Sequence, residues 1–456
     1  MPQNSISPKY IVVLFVILTL SVLSKLVLFD QVYSLSPKTV IQSDTPRYEE
    51  PALQYLKEGT LAIAPQSEKT TTLSTTPVYS LFIVGIYKVF GEKNHPALMI
   101  AQIIVSALTL FLIFLLALQL WGSKTAVIVA GLMAIEPLQT LYAQSILSET
   151  LFTFFLAFSL LAFTYLLSTK NKFKWALLLG LMLTLATMTR PISYYLVFCI
   201  ILGLVIFKQY VTHSWSQLVS ICLLILLPFL LTTTFWKVRN ENLTGVYALN
   251  DAMSETLLYY KAKGVLMVAN DLSDEEAQKE IIKRLPSAFK TPKERADAES
   301  KLAKEIILGD LGSYLKLSLQ GIKAIVLGPG LKSQAMFYDY KNKGIKTTPG
   351  SAESSYKLWY IALIAYGLVF IVITYLFAAY GFFLSFKHAN LQHLVIHFLM
   401  LGSILYFVLI STGHTAADSR MRTPIIPIIL LYASYGLFSL LEAVKSRKIR
   451  KNKHSI

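Results

Sequence analysis

Ionisable residues are sparse in the apolar parts of this chain, and the exceptions gather where apolar runs end. They are Asp44, Arg47, Glu136, Glu149, Arg190, Arg239, Asp418, Arg420 and Arg422. A charged group at a membrane edge is costly to keep, so each is a candidate for function. The types suit two tasks. A carboxylate in reach of a hydroxyl or amine can take its proton. A guanidinium presents a fork of donors that fits a phosphate or a carboxylate.

The elements that must position them are membrane spans. Of 456 residues, 54% are hydrophobic and 15% charged, and the mean hydropathy is +0.55. Soluble domains carry about 25% charge, so a simple soluble enzyme is excluded. With 12% aromatic residues, so is a disordered chain. The reading is an all-α polytopic membrane protein. Apolar runs of about 18 residues or more mark spans, and ten are expected: 10–29, 97–120, 124–141, 145–168, 173–189, 191–209, 215–236, 356–386, 391–412 and 423–444. The first has no clean small-x-small cleavage site after it and is read as an anchor. The runs 77–90 and 311–327 are too short or too charged to span and are expected at the interface.

Sidedness follows from basic residues in short loops. With the N-terminus inside, thirteen lysines and arginines fall on the inner side, six of them in the tail 445–453. The short outer connections hold only Arg190, Arg420 and Arg422. The net charge of +16 is thus a topology signal with affinity for anionic lipid, and no nucleic-acid partner is expected. All nine candidates then lie at or near the outer face, although they come from six parts of the chain. The expected organisation is a membrane module at 1–236 with a first outer loop at 30–96, a helical extracytoplasmic domain at 237–355, and C-terminal helices with a basic tail at 356–456. Ser273–Glu276 and Thr291–Glu294 match the capping box in the middle segment.

Each candidate also has a plain structural reading. Asp44 precedes a short amphipathic helix, with Tyr48, Ala52 and Tyr55 on one face and Gly59 at its end, so it suits an N-cap. Glu149 suits the first turn of a span. Glu136, before Pro137, suits a turn. Arg190 lies between back-to-back apolar helices, free to snorkel or to hold a phosphate or carboxylate. Arg239 and Asn240 close the seventh span. Lys25 is expected to snorkel from the first. The sequence has no Walker loop, CxxC or HExxH. His393 and His397 share a helix face without a nearby carboxylate. Cys199 and Cys222 lie in apolar runs and form no disulfide framework.

Taken in order, SDTPRY at 43–48, TTPVYSLFIVGIYKVFG at 75–91, AIEPLQTLYAQSILSETLF at 134–152, MTRPISYY at 188–195, FWKVRN at 235–240 and ADSRMRTPIIPIIL at 417–430 resemble the membrane-embedded family C glycosyltransferases. In particular they resemble the bacterial branch related to protein O-mannosyltransferases and the aminoarabinose transferase of lipid A. The resemblance implies a polyprenyl-phosphate-linked sugar donor and a glycan, lipid or protein acceptor at the extracytoplasmic face of an inner membrane. It implies Asp44 as the catalytic base on the acceptor. It matches Glu149 to the family's second acid, and Arg47, Tyr48, Arg190, Arg239, Asn240, Arg420 and Arg422 become candidates for binding substrate. Arginines around the lipid phosphate would stabilise its departure, and direct displacement by the acceptor would invert the sugar. Asp44-Thr45 stands where many members have Asp-Glu, and position 149 is Glu where they have Asp. This leaves open a divalent ion on Asp44 and Glu149. The rival reading is a transporter or flippase of lipid-linked glycans, which would want mid-membrane charges and internal repeats.

Overall fold

A computed structural model describes residues 7–61, 75–250, 252–330 and 353–454, and among them no strand occurs. The helices are α1 (Pro8–Leu35), α2 (Thr45–Glu58), α3 (Pro77–Phe90), α4 (His95–Trp121), α5 (Ser123–Ile135), α6 (Pro137–Tyr142), α7 (Glu149–Ser168), α8 (Lys172–Thr189), α9 (Leu196–Ile206), α10 (Lys208–Val211) and α11 (Trp215–Thr244). They continue with α12 (Ala252–Thr256), α13 (Lys263–Asn270), α14 (Asp274–Arg284), α15 (Pro292–Gly309), α16 (Leu311–Leu327), α17 (Glu353–His388), α18 (Leu391–Ile410) and α19 (Ile426–His454). A π-helical turn, Leu257–Ala262, links α12 to α13.

Eight of these, α1, α4, α7, α8, α11, α17, α18 and α19, are long and apolar enough to cross a membrane, so the chain is an integral membrane protein with multiple spans. Two of the ten expected runs fall short. The run at 124–141 breaks at Glu136, leaving α5 with 13 residues, because Pro137 cannot continue the α5 hydrogen-bond ladder. The run at 191–209 splits into a 3-10 turn, Pro191–Ser193, and the 11-residue α9. The seventh run does not end at 236; α11 continues to Thr244.

At the centre of the bundle lies α7, packed on α4 and α8, with α8 against α11 and α17 against α19. Lys25 does not snorkel. It is 2% exposed, and its Nζ donates to Ser21 Oγ at 2.8 Å, one turn back on α1. His397, also buried, sits 3.1 Å from the Tyr432 hydroxyl between aromatic rings.

Helices α13–α16 form a second unit with its own core around Leu258, Val265, Ile281, Leu302 and Ile306. Its α14 starts on a complete capping box, Ser273 with Glu276. At α15, Thr291 accepts from Glu294 N at 3.1 Å, but the Glu294 carboxylate takes Lys290 N instead of closing the box. Residues 331–352 of the expected outer domain lie outside the described residues.

The α17–α19 contact depends on two glycines. A Cβ at Gly381 would collide with the Tyr432 carbonyl oxygen, and one at Gly436 with that of Phe377. Small residues of this kind let membrane helices approach closely. Gly436→Val is therefore expected to cost about 3 kcal/mol through overpacking, read as a lowered Tm in detergent, whereas Gly402→Val, which meets open space, should leave it nearly unchanged.

Candidate active site

Asp44 sits at the N-cap position of α2, but its side chain makes no capping hydrogen bond. Beside it, the Thr45 hydroxyl accepts from Gln42 N at 2.8 Å and donates to Ile146 O at 3.0 Å. Val40 O accepts Ile146 N at 2.8 Å. The start of α2 is thus pinned to the irregular segment 143–148, and the Asp44 carboxylate is left for another partner. That partner is Arg420, whose Nη1 donates to Asp44 Oδ2 at 2.6 Å.

Arg420 lies on a 3-10 turn, Ser419–Arg422, whose start is fixed by Asp418 Oδ1 accepting Arg420 N at 2.8 Å. Its Nε donates to Glu149 Oε1. Arg190 Nη1 meets the same oxygen at 2.5 Å and approaches Ser148 Oγ at 3.4 Å. Ser148 in turn donates to the Tyr48 hydroxyl at 3.0 Å. The result is one chain, Asp44–Arg420–Glu149–Arg190, drawn from four separate segments. Arg190 therefore does have an acid partner, contrary to what its isolation in the sequence suggests. Glu149 is 3% exposed, and its Oε2 has no hydrogen-bond partner among the described residues. Burial works against the charge on Arg420, but the carboxylates of Glu149 and Asp44 outweigh it and strengthen its hold on the proton.

A cavity of about 1290 Å³, counting its share of open solvent, lies on the Asp44 side; Gln42, Asp44, Tyr142, Tyr260, His414 and Arg420 are among its lining residues. A smaller space of about 260 Å³ on the other side is lined by Glu149, Phe152, Arg190, Ile192 and Arg420. Arg420 borders both. The larger cavity reaches the second helical unit, since Tyr260 is on the π-helical turn and its carbonyl accepts Thr415 N at 3.1 Å. Burial, with a smaller contribution from Lys261, pushes the His414 imidazole down to about 4, so it is neutral at pH 7. Arg47 lines the same cavity and forms a loose pair with Glu255 at 3.8 Å.

The other expected site residues lie apart. Arg422 is buried, and its Nη1 donates to Ile325 O, Val326 O and Gly328 O at 2.9–3.0 Å, holding the C-terminal end of α16. Arg239 stacks over Trp236 at 4.4 Å and donates to Asn240 Oδ1 at 3.0 Å. Asn240 ties the chain after α11, donating to Ala248 O and Leu249 O. Neither Arg239 nor Asn240 lines either cavity. Glu136 is the turn residue expected, capping α6 through Gln139 N at 2.6 Å. Glu49 faces away from Asp44, taking the Tyr87 hydroxyl at 2.5 Å and His95 Nε2 at 2.7 Å. Burial opposes its ionisation, but these hydrogen bonds hold its carboxyl below the usual range.

The residues do not fit a divalent ion as they stand. Asp44 and Glu149 are bridged by a guanidinium, and no group of three or more His, Cys, Asp or Glu side chains converges among the described residues. The sequence missed Ser148, Tyr142, Tyr260 and His414. Ser148 stands beside Glu149, but nothing local marks Tyr260 or His414, because only the tertiary fold brings them to the cavity.

The two acids differ in what they support. Glu149→Ala leaves two cations without their shared partner in a buried setting, and a broken buried pair costs about 3 kcal/mol or more. Asp44→Asn breaks a part-exposed pair, worth about 1 kcal/mol or less. Thermal melts of the two variants in detergent should separate them clearly.

Residues 74–232, about a third of the chain, match the family model described as dolichyl-phosphate-mannose-protein mannosyltransferase. The match contains Glu149 and Arg190 but not Asp44 or Arg420. No curated protein sequence matches the chain. Among solved structures, the apo oligosaccharyltransferase of Archaeoglobus fulgidus superposes with a TM-score of 0.59 at 11% identity, covering 97% of this chain and 52% of that one. AglB from the same organism, in complex with an inhibitory peptide and a dolichol-phosphate, gives 0.50 at 12% identity, with 98% and 52% covered. ArnT from Cupriavidus metallidurans bound to undecaprenyl phosphate gives 0.41 at 15% identity, with 92% and 77% covered. The chain thus spans about half the length of the archaeal oligosaccharyltransferases, with which it shares a fold. Residues 74–232 are thus similar to the dolichyl-phosphate-mannose-protein mannosyltransferase family, and the chain's motifs resemble the membrane-embedded family C glycosyltransferases.

Proposed function

We propose that the chain transfers a sugar from a polyprenyl-phosphate-linked donor to an acceptor at the outward membrane face, with inversion. The observation that carries this reading is the convergence of Asp44, Arg420, Glu149 and Arg190 beside a large cavity, in a chain whose residues 74–232 match a family model named for a lipid-phosphate sugar donor. The AglB structure holds a dolichol-phosphate, and we extend that ligand class to this chain.

The chemistry follows from the charges. The acceptor hydroxyl loses its proton to Asp44 as its oxygen forms the new bond to the anomeric carbon. The bond from that carbon to the phosphate oxygen breaks, and the lipid phosphate leaves with one more negative charge. Arg190 and Arg420 are fixed before the reaction and meet that charge in a site of low dielectric. Glu149 sets the two guanidinium groups side by side. Arg47 and Tyr48 on α2 flank the base, Arg47 at the cavity and Tyr48 by holding Ser148. The apolar helix surfaces around the site suit the prenyl tail. The cavity under Tyr260 and His414 suits the acceptor.

Two outcomes are expected. In proteoliposomes given radiolabelled polyprenyl-phosphate mannose and acceptor extract, Asp44→Asn should lower transfer roughly 10²–10⁴-fold with normal purification. Retained activity in this variant would remove Asp44 as the base. Arg190→Ala should weaken undecaprenyl phosphate binding more than Arg190→Lys, because Lys keeps the charge but not the fork.

The inner placement of both termini, with 237–355 outside, rests on the basic-residue bias. With Cys199 and Cys222 replaced by Ser, Glu280→Cys should react with a membrane-impermeant thiol reagent in intact cells. Labelling only by a permeant reagent would invert the topology.

A further inference from the structure

The base and the phosphate clamp share one guanidinium. Arg420 gives Nη1 to Asp44 and Nε to Glu149, and it borders both the acceptor-side cavity and the smaller Arg190-side space. The Asp44 oxygen that accepts from Arg420 is occupied by that hydrogen bond and is not free to meet an acceptor hydroxyl. In the free site, then, the proposed base is restrained by the same group that must receive the donor.

We infer that the donor phosphate and Asp44 compete for Arg420, so that binding of the lipid-linked sugar releases the base and imposes an order of donor first, acceptor second. The inference rests on the reading of Arg190 and Arg420 as the phosphate clamp. Glu149 is unsuited to be the displaced partner. It is fully buried, shared between two arginines, and set in the first turn of the central helix α7. Asp44 is the more exposed carboxylate, 32% against 3%. It makes no capping bond that would hold it in place, and it opens onto a cavity with room for it to turn. The charge changes in the reaction reinforce the exchange. As the new glycosidic bond forms, the departing lipid phosphate gains a negative charge and Asp44 loses one by taking the acceptor proton. Arg420 therefore faces the same total charge throughout, with its stronger partner moving from Asp44 to phosphate. Once the lipid phosphate has left and the proton has passed to water, Asp44 closes on Arg420 again.

The test is the affinity of the full chain in detergent for undecaprenyl phosphate. A simple clamp, in which Asp44 plays no part, gives Asp44→Asn the same affinity as the native chain. Competition gives Asp44→Asn a tighter affinity, by about fivefold, the factor a part-exposed ion pair supplies, while transfer is lost. Asp44→Ala should tighten binding as well, and it serves if the Asn variant still leans on Arg420. Adding Arg420→Gln to either variant should abolish the gain, leaving the double variants no tighter than Arg420→Gln alone. Unchanged or weakened binding in both Asp44 variants overturns the competition and leaves the clamp standing. A native chain that fails to bind undecaprenyl phosphate overturns the clamp, and the competition with it.

Discussion

One carboxylate oxygen between two guanidinium groups holds this site together. Glu149 Oε1 receives both Arg190 and Arg420 at the start of a helix whose membrane-length core is the most buried in the bundle. A lone ionised carboxylate in that setting carries a heavy desolvation cost. The cost is offset by two cations and by the positive end of the α7 dipole. The turn after α8 and the turn before α19 must therefore both reach the same point. Once they do, the Asp44 loop has a cation to meet, and the cavity acquires its floor.

The membrane class was legible from composition, and all eight membrane-length helices lie on expected runs, with α1, α11 and α19 continuing beyond theirs. In 124–141 the apolar composition runs on past Pro137, and hydropathy does not register the lost backbone donor; in 191–209 it hides a 3-10 turn, Pro191–Ser193, ahead of a short helix. The site was legible as a set of residue types on one side, but pairing was not. Arg190 looked isolated because Glu149 is distant in sequence. Asp44 looked like a cap because Asp is favoured there, although its side chain makes no capping hydrogen bond. Glu136 and the Ser273–Glu276 box depend only on neighbours, and both read correctly.

Arg420 and Arg422 show how a short turn separates two equal side chains. They stand two residues apart on a 3-10 turn, which advances about a third of a turn per residue, so their side chains leave in different directions. One enters the site. The other satisfies three carbonyl oxygens where α16 ends, an end that would otherwise leave acceptors unpaired. The turn that carries Arg420 thereby also anchors the second helical unit, and the Thr415–Tyr260 backbone bond adds a further tie.

The short helix α5 has a consequence for the surrounding lipid. Thirteen residues rise about 20 Å, whereas a bilayer core is about 30 Å thick. The chain continues through the six-residue α6 and the irregular stretch 143–148 before α7 begins. Irregular backbone is tolerated within a membrane only where it is buried in protein or borders water; here residues 143–148 are buried, and Tyr142, Ser145 and Leu147 border the cavity. The short helix thus brings a cavity lined in part by polar groups up against buried, non-helical backbone.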